Sequence, residues 1–451
     1  METEDVSVRE QLFHNRVRET IICVLLFSCL YILSYLILTH FRKNAEFVTD
    51  DTEDATVNRI ALWLCTFTLS VAVCAVLLLP MSILSNEVLL IFPHSYYMQW
   101  LNGSLIRGLW NLVFLFSNLS LVFLMPFAYF FTESEGFAGS KKGVMARVYE
   151  AVVLLLLLAL LVLGMVWVAS ALLRDDMARK SFYDLWEYYL PYLYSGISFL
   201  GVLLLLLCTP FGLSRMFSVT GSLLVKPRLY RLLSVGSLSR HHHESFVLIR
   251  FFHSEMRKKA SPWQRNLVYP LAMLLLLALT VMCVLMVCFN VLELLLDDTA
   301  MPRGMEGISH LNKCDPHLGM ASFSMFGSLG AAVQAVLILY LMVSSLVGFY
   351  SSPLFTSLLP RAQDTNLTQI IANCVSLLIL SSALPVFSRT LGITRFDLLG
   401  DFGRYNWLGN FYIVFLYNML FAGLTSASLI KTVTWAVQRE LIRAFDRKYI
   451  R

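Results

Sequence analysis

Charge is scarce in this sequence. Only 14% of the 451 residues are Asp, Glu, Lys or Arg, while 57% are hydrophobic. Soluble domains carry about 25% charged residues, so the two or three soluble domains that the length would allow are excluded. Cysteine is almost missing from the connecting segments. Eight of the nine (Cys23, Cys29, Cys65, Cys74, Cys208, Cys283, Cys288 and Cys374) sit in apolar runs, and Cys314 alone lies in a loop. A single loop cysteine forms no ectodomain framework, and the eight others are expected to act as small apolar packers. Catalytic signatures are missing too. There is no Ser/His/Asp pattern, phosphate-binding loop or zinc-ligand spacing, so the chain is expected not to be an enzyme and to need no cofactor. Paired carboxylates and carboxylate–lysine relays inside the apolar runs are also lacking, which argues against an ion-driven pump.

What is present is a set of long apolar runs. A membrane-spanning helix needs about 20 predominantly apolar residues, and nine stretches qualify: 20–40, 60–84, 109–131, 151–173, 190–213, 267–296, 323–350, 368–387 and 411–430. The expected fold is all-α and polytopic, with no soluble domain. It divides into an external N-terminus (1–19), a five-helix half (20–213), a basic cytosolic loop (214–266), a four-helix half (267–430) and a basic tail (431–451). Charged residues precede the first run and Arg42-Lys43 follows it, without a small-residue cleavage pattern, so it reads as a retained anchor. Pro80, Pro126, Pro210, Pro270 and Pro385 fall inside runs, where neighbouring helices satisfy the freed backbone groups.

Nine spans put the termini on opposite sides. The loops 41–59, 132–150, 214–266 and 351–367 and the tail carry 23 Lys and Arg, against 12 in the other set. The positive-inside rule therefore puts the N-terminus outside and the C-terminus in the cytosol, with loop 214–266 supplying most of the bias. On that orientation a cysteine at Thr394 should react with an impermeant maleimide, and one at Ser237 should not. The sequon at Asn102 is external and a candidate for glycosylation, whereas the one at Asn366 is cytosolic and expected to stay unmodified.

Several polar residues lie within the runs: Asn111, Asn118, Asn290, Glu293, Gln334, Asn373 and Asn418. Such residues mark transport paths, but amides also bridge helices by hydrogen bonds, and the second reading is the favoured one for each. Glu293, near the outer end of its span, is the one acidic residue well inside a run. The segment "RTLGITRFDLLGDFGRYNWLGNFY" (389–412) contains Asp401-Phe402-Gly403, the kinase magnesium triplet, but no His-Arg-Asp or glycine-rich loop accompanies it. It reads as a structured cap, with turns at Gly400, Gly403 and Gly409 and with Arg395 and Arg404 facing Asp397 and Asp401; the alternative is a ligand-facing external surface. His241, His242, His243 and Glu244 read as a polar loop, because consecutive histidines seldom converge on one metal. In the tail, Val433, Val437, Leu441 and Phe445 recur every four residues beside Arg439, Arg443, Arg447 and Arg451. That pattern is a basic amphipathic helix suited to anionic lipid or to a partner's groove.

Several stretches together carry a resemblance: "SVREQLFH" (7–14), "QWLNGSLIRGLWNLVFLFSNLSL" (99–121), "FAYFFTESEGFAGSKKG" (127–143), "DLWEYYLPYLYS" (184–195), "LMVSSLVGFYSSPLF" (341–355) and "SSALPVFSRTLGITRFDLLGDFGRYNWLGNFYIVFLYN" (381–418). They resemble the limb-region membrane protein family over nearly all the membrane segments. The resemblance implies a nine-span receptor with an external N-terminus, at the plasma membrane and endoplasmic reticulum. Its implied partner is a lipocalin-type secreted protein, taken up by endocytosis. It further implies dampening of Wnt signalling through Wnt receptors and ubiquitin-ligase machinery, with membrane lipids as surroundings and no nucleic acid. The alternatives are a transporter of a small amphipathic molecule or a scaffold. The loop 223–266 departs from the family pattern, being short and without sustained heptads.

Overall fold

The structure, a computed structural model, describes residues 2–43, 52–91, 103–134, 144–172, 185–225, 268–296, 328–394 and 411–449. Among these residues eleven α-helices run in chain order: α1 (Glu2–Phe41), α2 (Thr52–Ile91), α3 (Gly103–Leu119), α4 (Met125–Glu133), α5 (Val144–Leu172), α6 (Leu185–Val225), α7 (Tyr269–Leu296), α8 (Ser328–Ser351), α9 (Leu367–Ser382), α10 (Leu384–Thr390) and α11 (Phe411–Tyr449). A π-helical turn, Ser120–Leu124, joins α3 to α4. Among the described residues, nine spans are long and apolar enough to cross a membrane, in agreement with the nine expected runs. There α3 with α4 and α9 with α10 each make one span. The described residues contain no strand, only an isolated bridge between Arg42 and Thr365. All eight cysteines of the spans are free thiols.

The chain forms two compact units. The first comprises residues 1–204, 301–336 and 360–411, and the second residues 205–300, 337–359 and 412–451. In the first, α2 is the central helix, packed on α1, α3, α4, α9 and α10. Beside aliphatic residues such as Leu62, Leu69 and Leu79, it buries a series of small or hydroxylated ones: Ala61, Cys65, Thr66, Thr68, Ser70, Ala72 and Ala75. Small residues let helix backbones approach closely, which is what drives association where lipid is as apolar as the side chains. The hydroxyls are satisfied within the helix. Thr66, Thr68 and Ser70 donate to the carbonyls of Leu62, Leu64 and Phe67 at 2.8, 3.0 and 2.6 Å. The core beside them joins Leu38 of α1, Leu62 and Leu69 of α2, Met125 of α4, and Leu367, Ile371 and Cys374 of α9. By contrast α5 exposes Val153, Leu156, Leu157, Leu160 and Leu161, the surface of a helix bathed in lipid.

In the second unit, four helices are linked in a closed ring by polar contacts. Thr209 of α6 and Ser345 of α8 share a hydrogen bond of 2.8 Å, as do Tyr340 of α8 and Thr280 of α7. Asn290 of α7 donates to Asn418 of α11 at 3.3 Å, and Ser428 of α11 donates to the carbonyl of Pro210 on α6 at 2.9 Å. The closest approach is at Gly212 of α6 and Gly348 of α8. A methyl group on Gly212 would run into the Ser344 carbonyl, and one on Gly348 into the Cys208 carbonyl.

Candidate functional site

The helix ends of the first unit sort into two faces. On one, the backbone N–H of Lys43, after α1, donates to the Thr365 carbonyl at 3.1 Å, and that of Gln363 donates to the His40 carbonyl at 3.3 Å. On the same face Arg147 of α5 pairs with Asp54 of α2 at 2.6 Å. These contacts bring together the loops 41–59, 132–150 and 351–367, as an alternating order of spans requires.

The other face is braced by buried aromatics. The Trp110 indole of α3 donates to the Ser82 hydroxyl of α2 at 3.0 Å. It stacks on Phe114 with centroids 5.3 Å apart, and Phe114 meets Tyr194 of α6 at 4.7 Å. The Tyr194 hydroxyl donates to the Ser382 carbonyl at the end of α9, at 3.0 Å. Trp110, Phe114 and Tyr194 are fully buried, and each polar handle has its partner, as an aromatic deep in a membrane bundle requires. Close by in sequence, Gly201 of α6 lets the Ile379 carbonyl of α9 approach to 2.7 Å from where a Cβ would stand.

The expected external corner starts inside this brace. Pro385 occupies the first turn of α10, the position where a missing N–H costs nothing. Ser388, Thr390, Leu391, Ile393 and Thr394 are all buried. The helix ends in a Schellman turn. Gly392 has φ of 72°, and its N–H donates to the Arg389 carbonyl at 3.1 Å while that of Ile393 donates to the Ser388 carbonyl at 2.9 Å. Any side chain at Gly392 would be forced into the left-handed region, at a cost of about 1–2 kcal/mol. Thr394 is 3% exposed and its hydroxyl lies 2.9 Å from that of Ser388. This corrects the expectation of an accessible probe there: labelling at Thr394 would report burial, not sidedness. Gly400, Gly403 and Gly409, together with Arg395, Asp397, Asp401 and Arg404, lie outside the described residues, as do Asn102 and His241, His242, His243 and Glu244. Asn366 is exposed immediately before α9.

The polar residues of the spans behave differently from one another. Asn290 and Asn418 bridge helices, and Asn418 also donates to its own Val414 carbonyl at 2.9 Å. Asn373 is buried, while Asn111 and Gln334 are half-buried. Glu293 lies in the last turn of α7, and its side chain is outside the described set. Asn118 is 2% exposed, and neither its Nδ2 nor its Oδ1 has a hydrogen-bond partner. The buried hydroxyls of Ser117 and Ser120 are likewise unpartnered. These two serines escaped the reading of the sequence. Their signal was the Ser-Asn-x-Ser density in an apolar run, six residues before Pro126. No group of three or more His, Cys, Asp or Glu that could hold a metal occurs among the described residues.

Comparison with known proteins agrees with this architecture. A family model described as LMBR1-like membrane protein matches residues 19–246 and 233–433. The Limb region 1 homolog-like protein of Danio rerio is 78% identical over 471 residues, covering 99% of this chain and 94% of its own. Protein LMBR1L of Homo sapiens is 66% identical over 469 residues, covering 98% and 94%. The Limb region 1 protein of Mus musculus is 58% identical over 467 residues, covering 98% and 93%. No solved structure matches. The chain belongs to the LMBR1-like membrane protein family, and is a multi-pass membrane protein of that family.

Proposed function

We propose that this chain is a cell-surface and endoplasmic-reticulum receptor that takes a lipocalin-type secreted protein on its non-cytosolic face and carries it inward by endocytosis. The observation that carries the reading, beside family membership, is the aromatic brace. Trp110–Ser82 ties α3 to α2 and Tyr194–Ser382 ties α6 to the end of α9, within a few turns of the segments 85–108, 174–189 and 388–410. Short segments on rigid ends are the arrangement that favours capture of a folded partner, because little conformational entropy is lost on binding. Cells expressing the protein should internalise fluorescent lipocalin faster than untransfected cells; uptake equal to the untransfected rate overturns the reading. A dampening role toward Wnt receptors through ubiquitin-ligase machinery goes with the same membranes, and co-precipitation from endoplasmic-reticulum fractions tests it.

The orientation that goes with this function puts the N-terminus outside and the basic loop 214–266 in the cytosol. Ser95→Cys in intact cells should react with an impermeant maleimide, and Ser237→Cys should react only after permeabilisation. Labelling in the reverse order inverts the topology and removes the proposed binding face. Alignments of 471, 469 and 467 residues exceed the 451 residues of this chain. The two family matches overlap at residues 233–246. Both support a loop 214–266 shorter than that of its relatives.

A transporter of a small amphipathic molecule is the second reading, favoured by the unpartnered Asn118 amide. Flux into proteoliposomes that disappears in Asn111→Leu/Asn118→Leu would bring it forward.

A further inference from the structure

We propose that Arg42, Lys43 and Arg361 form a site for the phosphate-rich headgroup of an anionic lipid at the membrane surface. The three residues come from distant parts of the chain, and backbone hydrogen bonds bring them together. The Thr365 N–H donates to the Phe41 carbonyl at 3.3 Å, the Lys43 N–H to the Thr365 carbonyl at 3.1 Å, and the Gln363 N–H to the His40 carbonyl at 3.3 Å. An isolated parallel bridge sets Arg42 against Thr365. Thr365 in turn clasps Arg361. Its buried hydroxyl accepts from the Arg361 N–H at 2.9 Å and donates to the Arg361 carbonyl at 2.7 Å. The backbone of Arg361 is thereby fixed beside the end of α1. Gln363, between them, has φ of 60°. Such a left-handed residue other than glycine persists only where its surroundings hold it.

The level of these residues selects the ligand. The first span ends at Phe41, and the span made by α9 and α10 begins at Leu367. Arg42, Lys43 and Arg361 therefore stand just beyond two span ends on one side, at the depth of lipid headgroups. Arg361 is exposed, and Arg42 and Lys43 are half-buried. Among the described residues, neither the Lys43 nor the Arg361 side chain has an ion-pair partner. Asp364 is exposed in the same loop, which sets one carboxylate against the three cations. Guanidinium forks match pairs of phosphate oxygens, and the lysine ammonium adds a point charge. A zwitterionic headgroup brings its own cation and gains less from such a surface. The face is the one that the charge split puts in the cytosol, where anionic lipids concentrate. The binding itself does not depend on that orientation, and neither does its test.

The test uses the full chain in nanodiscs whose two leaflets are alike, phosphatidylcholine with a small share of phosphatidylinositol bisphosphate. Native mass spectrometry reads which lipids stay bound. The chain should retain the phosphoinositide in preference to phosphatidylcholine. Arg361→Gln and Lys43→Gln should each lower that preference about fivefold, the effect of one basic side chain at an anionic surface. Arg107→Gln removes an equal charge at the start of α3, an exposed position on the other side of the membrane, and should leave the preference unchanged. Soluble inositol trisphosphate separates the sources of the phosphate. With a lipid ligand it binds phosphatidylcholine discs far more weakly than the lipid is retained. Soluble binding as tight as the lipid's, and lost in Arg361→Gln, keeps the phosphate site and makes a free phosphate its ligand. The absence of both lipid preference and soluble binding overturns the proposal. So does a loss in Arg107→Gln equal to that in Arg361→Gln, because net charge alone would then account for the effect. Arg361 is exposed, so its glutamine variant should assemble as wild type does and decides the matter should Lys43→Gln fail to.

Discussion

Gly348→Val should leave little monodisperse protein after detergent extraction, when wild type and variant are compared by fluorescence-detected size exclusion. A Cβ at Gly348 would collide with the Cys208 carbonyl, and one at Gly212 with the Ser344 carbonyl. Both obstacles are backbone, which has no rotamer through which to escape. The helices would have to part, and parting breaks the Thr209–Ser345 hydrogen bond one turn from Gly212. Overpacking in a well-packed core costs about 1–3 kcal/mol and occasionally more; a clash against two rigid helices belongs at the upper end. The effect should be graded, with alanine milder than valine at both positions. Gly196, Gly108 and Gly423 provide the control, since nothing lies within 4 Å of a Cβ built at any of them. Gly423→Ala should behave as wild type. Equal behaviour of Gly348→Val and Gly423→Ala would refute the close crossing.

Trp110→Ala should cost about 3–5 kcal/mol, the range for deleting a large buried aromatic. The indole is wholly buried, stacks on Phe114 and donates to Ser82. Its loss opens a cavity beside Phe114, the ring that meets Tyr194, whose hydroxyl holds the end of α9. The expected result is a lowered midpoint in thermal aggregation of the detergent-solubilised protein and, on the proposed receptor function, a loss of lipocalin uptake greater than the loss of surface expression. Trp110→Phe keeps one aromatic ring against Phe114 and loses the hydrogen bond, about 1 kcal/mol, together with the smaller packing of the pyrrole ring, so it should be milder than alanine. If phenylalanine were as damaging as alanine, the hydrogen bond and not the packing would be the brace.

The spans were legible because lipid imposes a length and an apolar composition that few other constraints can override. Helix ends were less so. The run 368–387 was read as stopping before Ser388, yet burial continues to Thr394, because a Schellman turn folds the chain back into the unit after α10. The glycine that makes this turn is Gly392; Gly400, Gly403 and Gly409 lie outside the described residues. The amides were the least legible. Asn118 and Asn290 look alike in sequence, each an isolated amide in a long apolar run. One finds Asn418 across a helix pair and the other finds nothing. That difference depends on how each helix is rotated against its neighbours. Rotation past Leu119 is reset by a π turn, which takes up more residues per turn than the α-helix on either side.

Helix α11 runs without interruption from Phe411 to Tyr449, whereas its membrane span ends at Lys431. The tail read as a basic amphipathic helix is thus helical in continuation of the span. At 1.5 Å per residue it extends for about 27 Å past Lys431, on the axis of the span. On that length a tilt of about 10° at the membrane would move the tip by about 5 Å. A helix so attached lies flat on the leaflet only if it breaks near Lys431; unbroken, it carries its last turns before Tyr449 away from the membrane.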